Sequence, residues 1–183
     1  MRSPAVLRAF VHVLAIALAA SGCGYTLVRH AGPLADDAPR MLLRTLDNDS
    51  TEPGLERIVS EALRREWLRR GRYRLVADPD AADWLLTGRV LPVQVRTDTL
   101  SPVVLAVEQT LTLGVELTVA PLRARKEGAA GAALPTATLR ESEIFFSSPD
   151  LEVGRKNRRE ALMRVAALVA ERAHDAVDQE IAP

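Results

Sequence analysis

Cys23 is the one residue in this sequence whose type and setting predict a defined covalent chemistry. It is the only cysteine among 183 residues, and Ala20, Ser21 and Gly22 precede it directly. Small side chains at these positions let a signal peptidase reach the backbone, and a thiol can carry a diacylglyceryl group through a thioether bond. We therefore predict that Cys23 becomes the lipidated first residue of the mature chain, with a third acyl chain on its amino group.

The residues before Cys23 have the pattern of an export signal. Arg2 and Arg8 supply a positive start, and residues 9–20 form an apolar run that is interrupted only by His12. A membrane-spanning helix requires about 20 apolar residues, so this run is too short to remain as a transmembrane segment. An ordinary cleaved secretory signal, with Cys23 left free or lost, is the alternative interpretation.

The residue after Cys23 predicts where a lipid anchor would place the protein. Each buried methylene group contributes about 0.8 kcal/mol to membrane binding, and several acyl chains together give a stable anchor. Gly24 stands at the position where an aspartate retains bacterial lipoproteins in the inner membrane. We therefore expect a protein anchored to the periplasmic face of the outer membrane.

The remaining side chains offer little for catalysis or for metal binding. Signal cleavage leaves His30 and His174 as the only histidines, and 22 basic side chains against 24 acidic ones. A structural zinc site requires four ligands, and a nucleic-acid-binding domain has a strong basic excess. We predict no catalytic residue, no metal site, no cofactor and no nucleic-acid partner. A hydrolase that uses His174, which the pattern places on a helix surface, is the least favoured alternative.

The clearest structural pattern is the long alternation between residues 103 and 119. Eight of its nine odd positions are apolar, whereas the even positions carry mostly Glu and Thr. Such alternation predicts a strand with one covered and one exposed face. A loop rich in Ala and Gly at residues 121–135 should follow it. The other predicted strands lie at residues 40–46, 73–76, 83–95 with a bend at Pro92, and 136–146.

Two segments have helical periodicity. Residues 50–53 combine hydroxyl side chains with Pro53 and predict a helix start, and the helix should end near Gly71. The basic outer face of this first helix is interpreted as a solvated surface. Residues 151–181 predict a second helix with a basic cluster near its start, the unfavourable end of the helix dipole. An anionic partner or a solvated surface would explain this cluster: Arg155, Lys156, Arg158 and Arg159.

This order of elements predicts an α+β fold in which two helices pack on one face of a mainly antiparallel four-stranded sheet. The chain divides into a lipoprotein signal peptide at residues 1–22, a lipidated tether at residues 23–39 and one domain at residues 40–183.

Three motifs in this order resemble the LptE family of lipopolysaccharide-assembly lipoproteins. They are Cys23-Gly24-Tyr25-Thr26-Leu27, then Asn48 with Thr51-Glu52-Pro53-Gly54-Leu55-Glu56, and Ala82-Asp83-Trp84-Leu85-Leu86-Thr87-Gly88-Arg89-Val90. The strand, helix, strands, helix order extends the resemblance over nearly the whole mature chain.

The resemblance implies a plug inside the LptD β-barrel of the outer membrane, which assists assembly of that barrel and handles lipopolysaccharide on its way to the outer leaflet. Family members are thought to contact lipopolysaccharide through basic residues at loops and strand ends. Here the candidates are Arg123, Arg125 and Lys126, followed by Arg89 and Arg96. The alternative function is a periplasm-facing lipoprotein that binds peptidoglycan or activates a cell-wall synthase.

Overall fold

The structure is a computed structural model that describes Leu34 and residues 36–99, 107–122 and 137–181. Cys23, the signal peptide and most of the tether lie outside the described residues. We number the elements in chain order as β1 (Arg40–Leu43), β2 (Asp47–Asn48), α1 (Leu55–Arg70), β3 (Arg74–Leu75), β4 (Trp84–Val90), β5 (Gln94–Thr99), β6 (Val107–Pro121), β7 (Ala137–Ser147) and α2 (Leu151–Ile181).

The strands form one sheet that is built around β6. One edge of β6 pairs with β7, and its other edge pairs with β5 and then β4, all antiparallel. Strands β1 and β2 pair in parallel with β4, and β3 pairs in parallel with β1. The sheet therefore joins long antiparallel strands on one side to short parallel strands on the other.

The predicted α+β class is confirmed, but the predicted number of four strands is wrong. The described residues contain seven strands, and three of the six strand pairs are parallel. The strand predicted at residues 40–46 ends at Leu43, and Asp47–Asn48 beyond it form the separate strand β2. The strand predicted at residues 83–95 is divided around Pro92 into β4 and β5. Proline interrupts a sheet because it lacks the N–H that the ladder needs.

Both helices cover the same face of the sheet, as predicted. The odd residues of β6 from Leu111 to Val119 are buried, and they pack in one core with the apolar stripes of α1 and α2. The buried stripe of α2 includes Leu162, Val165, Val169, Ala173 and Val177, and His174 beside it is also buried at 2% exposed. The prediction that His174 lies on the helix surface is therefore wrong, because the ring packs against Trp67 and Tyr73 of the neighbouring segment.

The two ends of α1 are formed by glycines. Gly71 adopts φ 62°, and its N–H donates to the Trp67 carbonyl, so the predicted stop is confirmed. The predicted start is wrong, because the cap is Gly54 at φ 80° with no side-chain hydrogen bond. The Ser50 hydroxyl instead donates to Asn48 at 2.6 Å and accepts from the Glu52 N–H. Within the described residues, neither helix is long and apolar enough to cross a bilayer.

Candidate functional site

The sheet face opposite the helices is the first candidate surface, and we call it the open face. It consists of the even residues of β6 and β7 together with their neighbours on β4 and β5. Side chains at its centre are small and polar, and the Thr112 and Ser142 hydroxyls hydrogen-bond across β6 and β7 at 2.8 Å. The prediction that the even positions of β6 form a polar, partly exposed face is confirmed: Glu108, Thr110, Thr112, Glu116 and Thr118.

Arg89 lies on the open face, and its charge is matched by two carboxylates. Its Nε donates to Glu116 Oε2 at 2.8 Å, and its Nη1 lies 3.6 Å from Asp49 Oδ2. The hydrogen bond to Glu116 is the main reason that the pKa of Arg89 is raised. These carboxylates would compete with an incoming phosphate for the guanidinium.

The positive charge of Arg96, at the other end of the open face, is also neutralised by a carboxylate. Its Nε donates to Asp98 Oδ1 at 2.8 Å, and the Thr110 hydroxyl donates to the other oxygen of that carboxylate. The hydrogen bond from Thr110, followed by the one from Arg96, lowers the pKa of Asp98.

The structure does not bring Arg89 and Arg96 together. Arg89 is paired with Glu116 of β6 and Arg96 with Thr110, six residues apart along that strand. At about 3.4 Å per residue, this separates the two arginines by roughly 20 Å. Arg123, Arg125 and Lys126 lie outside the described residues.

One end of the open face carries exposed apolar side chains that sequence reasoning did not single out. Ile144 and Phe146 are 52% and 54% exposed, whereas Phe145 between them is buried in the core. The alternation of a strand produces this result, because neighbouring residues point to opposite faces.

A second candidate surface lies between the helices, and we call it the helix groove. Its volume is about 810 Å³, and it lies where the first half of α1 faces the first half of α2. The sequence predicts a solvated surface for the three arginines of α1, and it leaves an anionic partner or a solvated surface open for the three of α2. The groove is lined by six arginines: Arg57, Arg64, Arg65, Arg155, Arg158 and Arg159.

His174 is the one described histidine, and its surroundings do not suit a catalytic base. Neither ring nitrogen has a hydrogen-bond partner among the described residues. Burial lowers the pKa of His174, and the nearby Arg70 lowers it further. The described residues also contain no cluster of three or more His, Cys, Asp or Glu side chains that is placed to hold a metal ion.

Comparison with known proteins identifies one matching family and several similar structures. The family model described as LptE, Lipopolysaccharide-assembly, matches residues 40–177. No curated protein matches the chain. The hypothetical protein CT253 from Chlamydia trachomatis is 10% identical with a TM-score of 0.57, over 79% of this chain and 98% of that chain. This similarity shows a shared fold.

Two lipoproteins of known structure are more distant in shape. The rare lipoprotein B from Shewanella oneidensis is 19% identical with a TM-score of 0.48, over 76% of this chain and 94% of that chain. The minor lipoprotein from Acinetobacter baumannii is 13% identical with a TM-score of 0.47, over 78% and 94% respectively.

Proposed function

Because this chain belongs to the LptE family of lipopolysaccharide-assembly proteins, we propose that it is an outer-membrane lipoprotein that plugs and helps to assemble an LptD β-barrel. In this role it takes part, without catalysis, in the transport of lipopolysaccharide to the outer leaflet. The observation that carries the proposal is the family match over residues 40–177.

The open face supports the barrel contact. The interior of a large outer-membrane barrel is polar, so a domain that fills it needs a polar outer surface. The centre of the open face is formed by hydroxyl-bearing and charged side chains, such as Thr112, Ser142 and the ion pair of Arg89 with Glu116. Hydroxyl groups can donate and accept, and they hydrogen-bond a polar wall at little desolvation cost.

Capture from solubilised outer membranes tests the proposal. The native lipidated protein should recover a large β-barrel protein. The variant T138R/S142R places two exposed charges on the open face and should reduce that recovery. The matched control A167R/Q179R adds the same charge at exposed positions of α2 and should leave recovery unchanged.

The outcomes separate the proposed function from its alternative. If the native protein recovers no barrel but sediments with purified cell-wall sacculi, the peptidoglycan-binding function replaces the proposal. If T138R/S142R recovers the barrel as well as the native protein does, the open face is not the contact surface.

The lipid anchor on Cys23 is part of the same proposal. A protein held by several acyl chains stays with the membrane fraction, whereas the variant C23S should appear in the soluble periplasmic fraction. Mass spectrometry of the native N-terminus should find the acyl groups on Cys23. An unmodified N-terminus would leave the ordinary secretory signal as the correct interpretation.

Basic residues are the proposed contacts for phosphate groups of lipopolysaccharide, because guanidinium groups bind two phosphate oxygens at once. Arg123, Arg125 and Lys126 are proposed first. Arg89 and Arg96 are proposed second, since each would exchange a carboxylate partner for a phosphate. Charge-reversal variants at these positions should weaken lipopolysaccharide binding in proportion to their contact with it.

A further inference from the structure

The helix groove combines a strong positive charge with few neutralising groups. Its lining contains six arginines but only two carboxylates, those of Glu52 and Glu61. Both carboxylates are already engaged, because Glu61 accepts from Arg64 at 2.8 Å and Glu52 accepts from Arg158 Nε at 3.1 Å. Six arginines against two carboxylates leave a formal surplus of four positive charges in the lining, and Glu56, just outside it, lies 4.0 Å from Arg57 Nε.

Arg65 and Arg159 are the arginines that carry this surplus most clearly. Both are exposed, and within the described ranges neither has a carboxylate within the 4.0 Å of an ion pair. Arg155 pairs with Glu152 at 2.9 Å, but that carboxylate is 81% exposed and does not line the groove. Exposed pairs of this kind contribute little free energy.

The arrangement of charges in the helix groove is electrostatically unfavourable. Arginines from two separate helices face each other there, and the positive end of α1 also lies in the lining, at Gly54 and Leu55. Like charges repel, and a helix start further disfavours cations by about 0.3–1 kcal/mol. A bound anion would relieve both costs.

The lining is also apolar in part, and this favours an amphiphilic ligand over a small inorganic anion. Ile58 and Met163 line the same groove beside the arginines, with Met163 44% exposed, whereas Leu55 and Leu162 of the lining are buried beneath them. A small inorganic anion would not use these side chains, whereas the methylene groups of an amphiphile would be buried against them.

The size of the surplus charge indicates how many phosphates the ligand carries. A phosphate monoester has a charge of about −1.5 to −2 at pH 7, so two of them balance about four arginines. We propose that the helix groove binds the two phosphate groups of a diphosphorylated amphiphile. Resting on the function proposed above, we infer that this ligand is the phosphorylated lipid portion of lipopolysaccharide.

Binding of diphosphoryl lipid A to the lipidated protein in detergent micelles tests this inference by calorimetry. The variant R65E/R159E should bind at least about tenfold more weakly, because two charge-assisted contacts become repulsive. The control R44E/R74E makes the same change in charge at two exposed arginines outside the groove, and should stay within about twofold of the native protein.

A milder variant excludes the trivial explanation that charge reversal disrupts folding. R65Q/R159Q removes the charges without adding repulsion and should weaken binding by about threefold to tenfold at unchanged thermal stability. Lipid A binding that is unaltered in both variants would overturn the inference.

Two further ligands separate the possible sources of phosphate. Dephosphorylated lipid A should bind weakly and equally to the native protein and to R65E/R159E. Inorganic pyrophosphate should bind more weakly than diphosphoryl lipid A, and equal affinity would overturn the inference of an amphiphile in favour of a soluble anion.

Barrel capture distinguishes failure of this inference from failure of the proposed function. If R65E/R159E loses the barrel but still binds diphosphoryl lipid A, the groove is a protein interface and the inference is wrong. If the native protein captures no barrel but its lipid A binding depends on Arg65 and Arg159, the groove inference stands and the barrel proposal fails.

Discussion

The two ends of the helix pair differ in how their polar groups are satisfied. At the closed end, Trp67 of α1 lies edge-on to His174 of α2 with the ring centroids 5.0 Å apart, and Arg70 forms an ion pair with Asp175. At the open end the same two helices are separated by the helix groove, where Arg65 and Arg159 have no carboxylate partner among the described residues.

This difference indicates that the two ends of the helix interface have different roles. The closed end buries apolar area and pairs its charges, so its residues should determine stability. The open end leaves charges uncompensated, so its residues should affect ligand affinity while contributing little to stability. The following substitutions test the two halves of this comparison.

Removing the Trp67 side chain should have the largest effect on stability. Trp67 is fully buried, and its Nε1 donates to Met41 Sδ at 3.0 Å. W67A should lower the free energy of unfolding by about 4 kcal/mol, measured by urea denaturation, because a large cavity remains. L68A, at a neighbouring side chain that is 63% exposed, should cost less than about 0.5 kcal/mol. Similar losses in both variants would contradict the comparison.

Replacing Glu66 should give the next largest loss of stability, because its buried carboxylate accepts hydrogen bonds from two arginines. It accepts from Arg69 Nη2 and from Arg70 Nε, both at 2.6 Å. E66Q should lower the free energy of unfolding by about 2 kcal/mol. E61Q is the control, since the pair of Glu61 with Arg64 is more exposed and should contribute less than about 1 kcal/mol.

The pH dependence of stability identifies the Glu66 carboxylate independently. The hydrogen bond from Arg69 is the main reason that the pKa of Glu66 falls from 4.5 to about 2. A carboxyl with a lowered pKa stabilises the fold fully above pH 4.5 and loses this contribution as the pH falls towards 2. In E66Q the decrease in stability over this range should be smaller, and an unchanged profile would exclude Glu66 as its source.

Replacing His174 should have a smaller effect on stability, and it should stabilise the fold. Its ring nitrogens are buried without a hydrogen-bond partner in the described part of the chain. H174L replaces this unpaired polar group by an apolar one of similar size and should raise the free energy of unfolding by about 1 kcal/mol. H174N keeps a buried polar group and should give no such gain. Destabilisation by H174L would mean that the ring has a polar role.

The same residue should also contribute to pH dependence near neutrality. Burial lowers the pKa of His174 below 6.5, so the unfolded chain takes up a proton at a pH where the folded chain does not. Stability should therefore fall as the pH drops below 6.5. H174L should remove that part of the decrease, in a range above the one that Glu66 governs.

Much of the fold could be predicted because its main elements have strong local signals. The alternation in β6 identified the covered face, Gly71 identified the end of α1, and residues 151–181 formed the predicted helix. The parallel pairing of β1, β2 and β3 could not be predicted, since strands of two to four residues are too short to show a period. Their partners are determined by contacts that are distant in sequence.

The helix groove could not be predicted for the same reason. The arginines of α1 are interpreted from the sequence as a solvated surface, whereas the cluster at the start of α2 leaves an anionic partner or a solvated surface open. Only the packing of α1 beside α2 brings Arg65 and Arg159 to one groove. Conversely, Arg89 and Arg96 are predicted as lipopolysaccharide contacts, but strand pairing brings Glu116 to Arg89, and Asp98 of the same strand pairs with Arg96. A neighbouring carboxylate therefore distinguishes Arg89 and Arg96 from Arg65 and Arg159, for which the described residues show no ion pair.

Glu52 provides the finest test of the comparison, because it is a neutralising group inside the groove. Its pairing with Arg158 removes one positive charge from the surplus. E52Q should release that charge and raise the affinity for diphosphoryl lipid A by about threefold, while changing the free energy of unfolding by less than about 0.5 kcal/mol. E152Q is the matched control at the α2 start, where solvent already screens the pair with Arg155, and its affinity should not change. Weaker binding by E52Q would mean that Glu52 positions Arg158 for the ligand, and that surplus charge alone does not determine affinity at the open end.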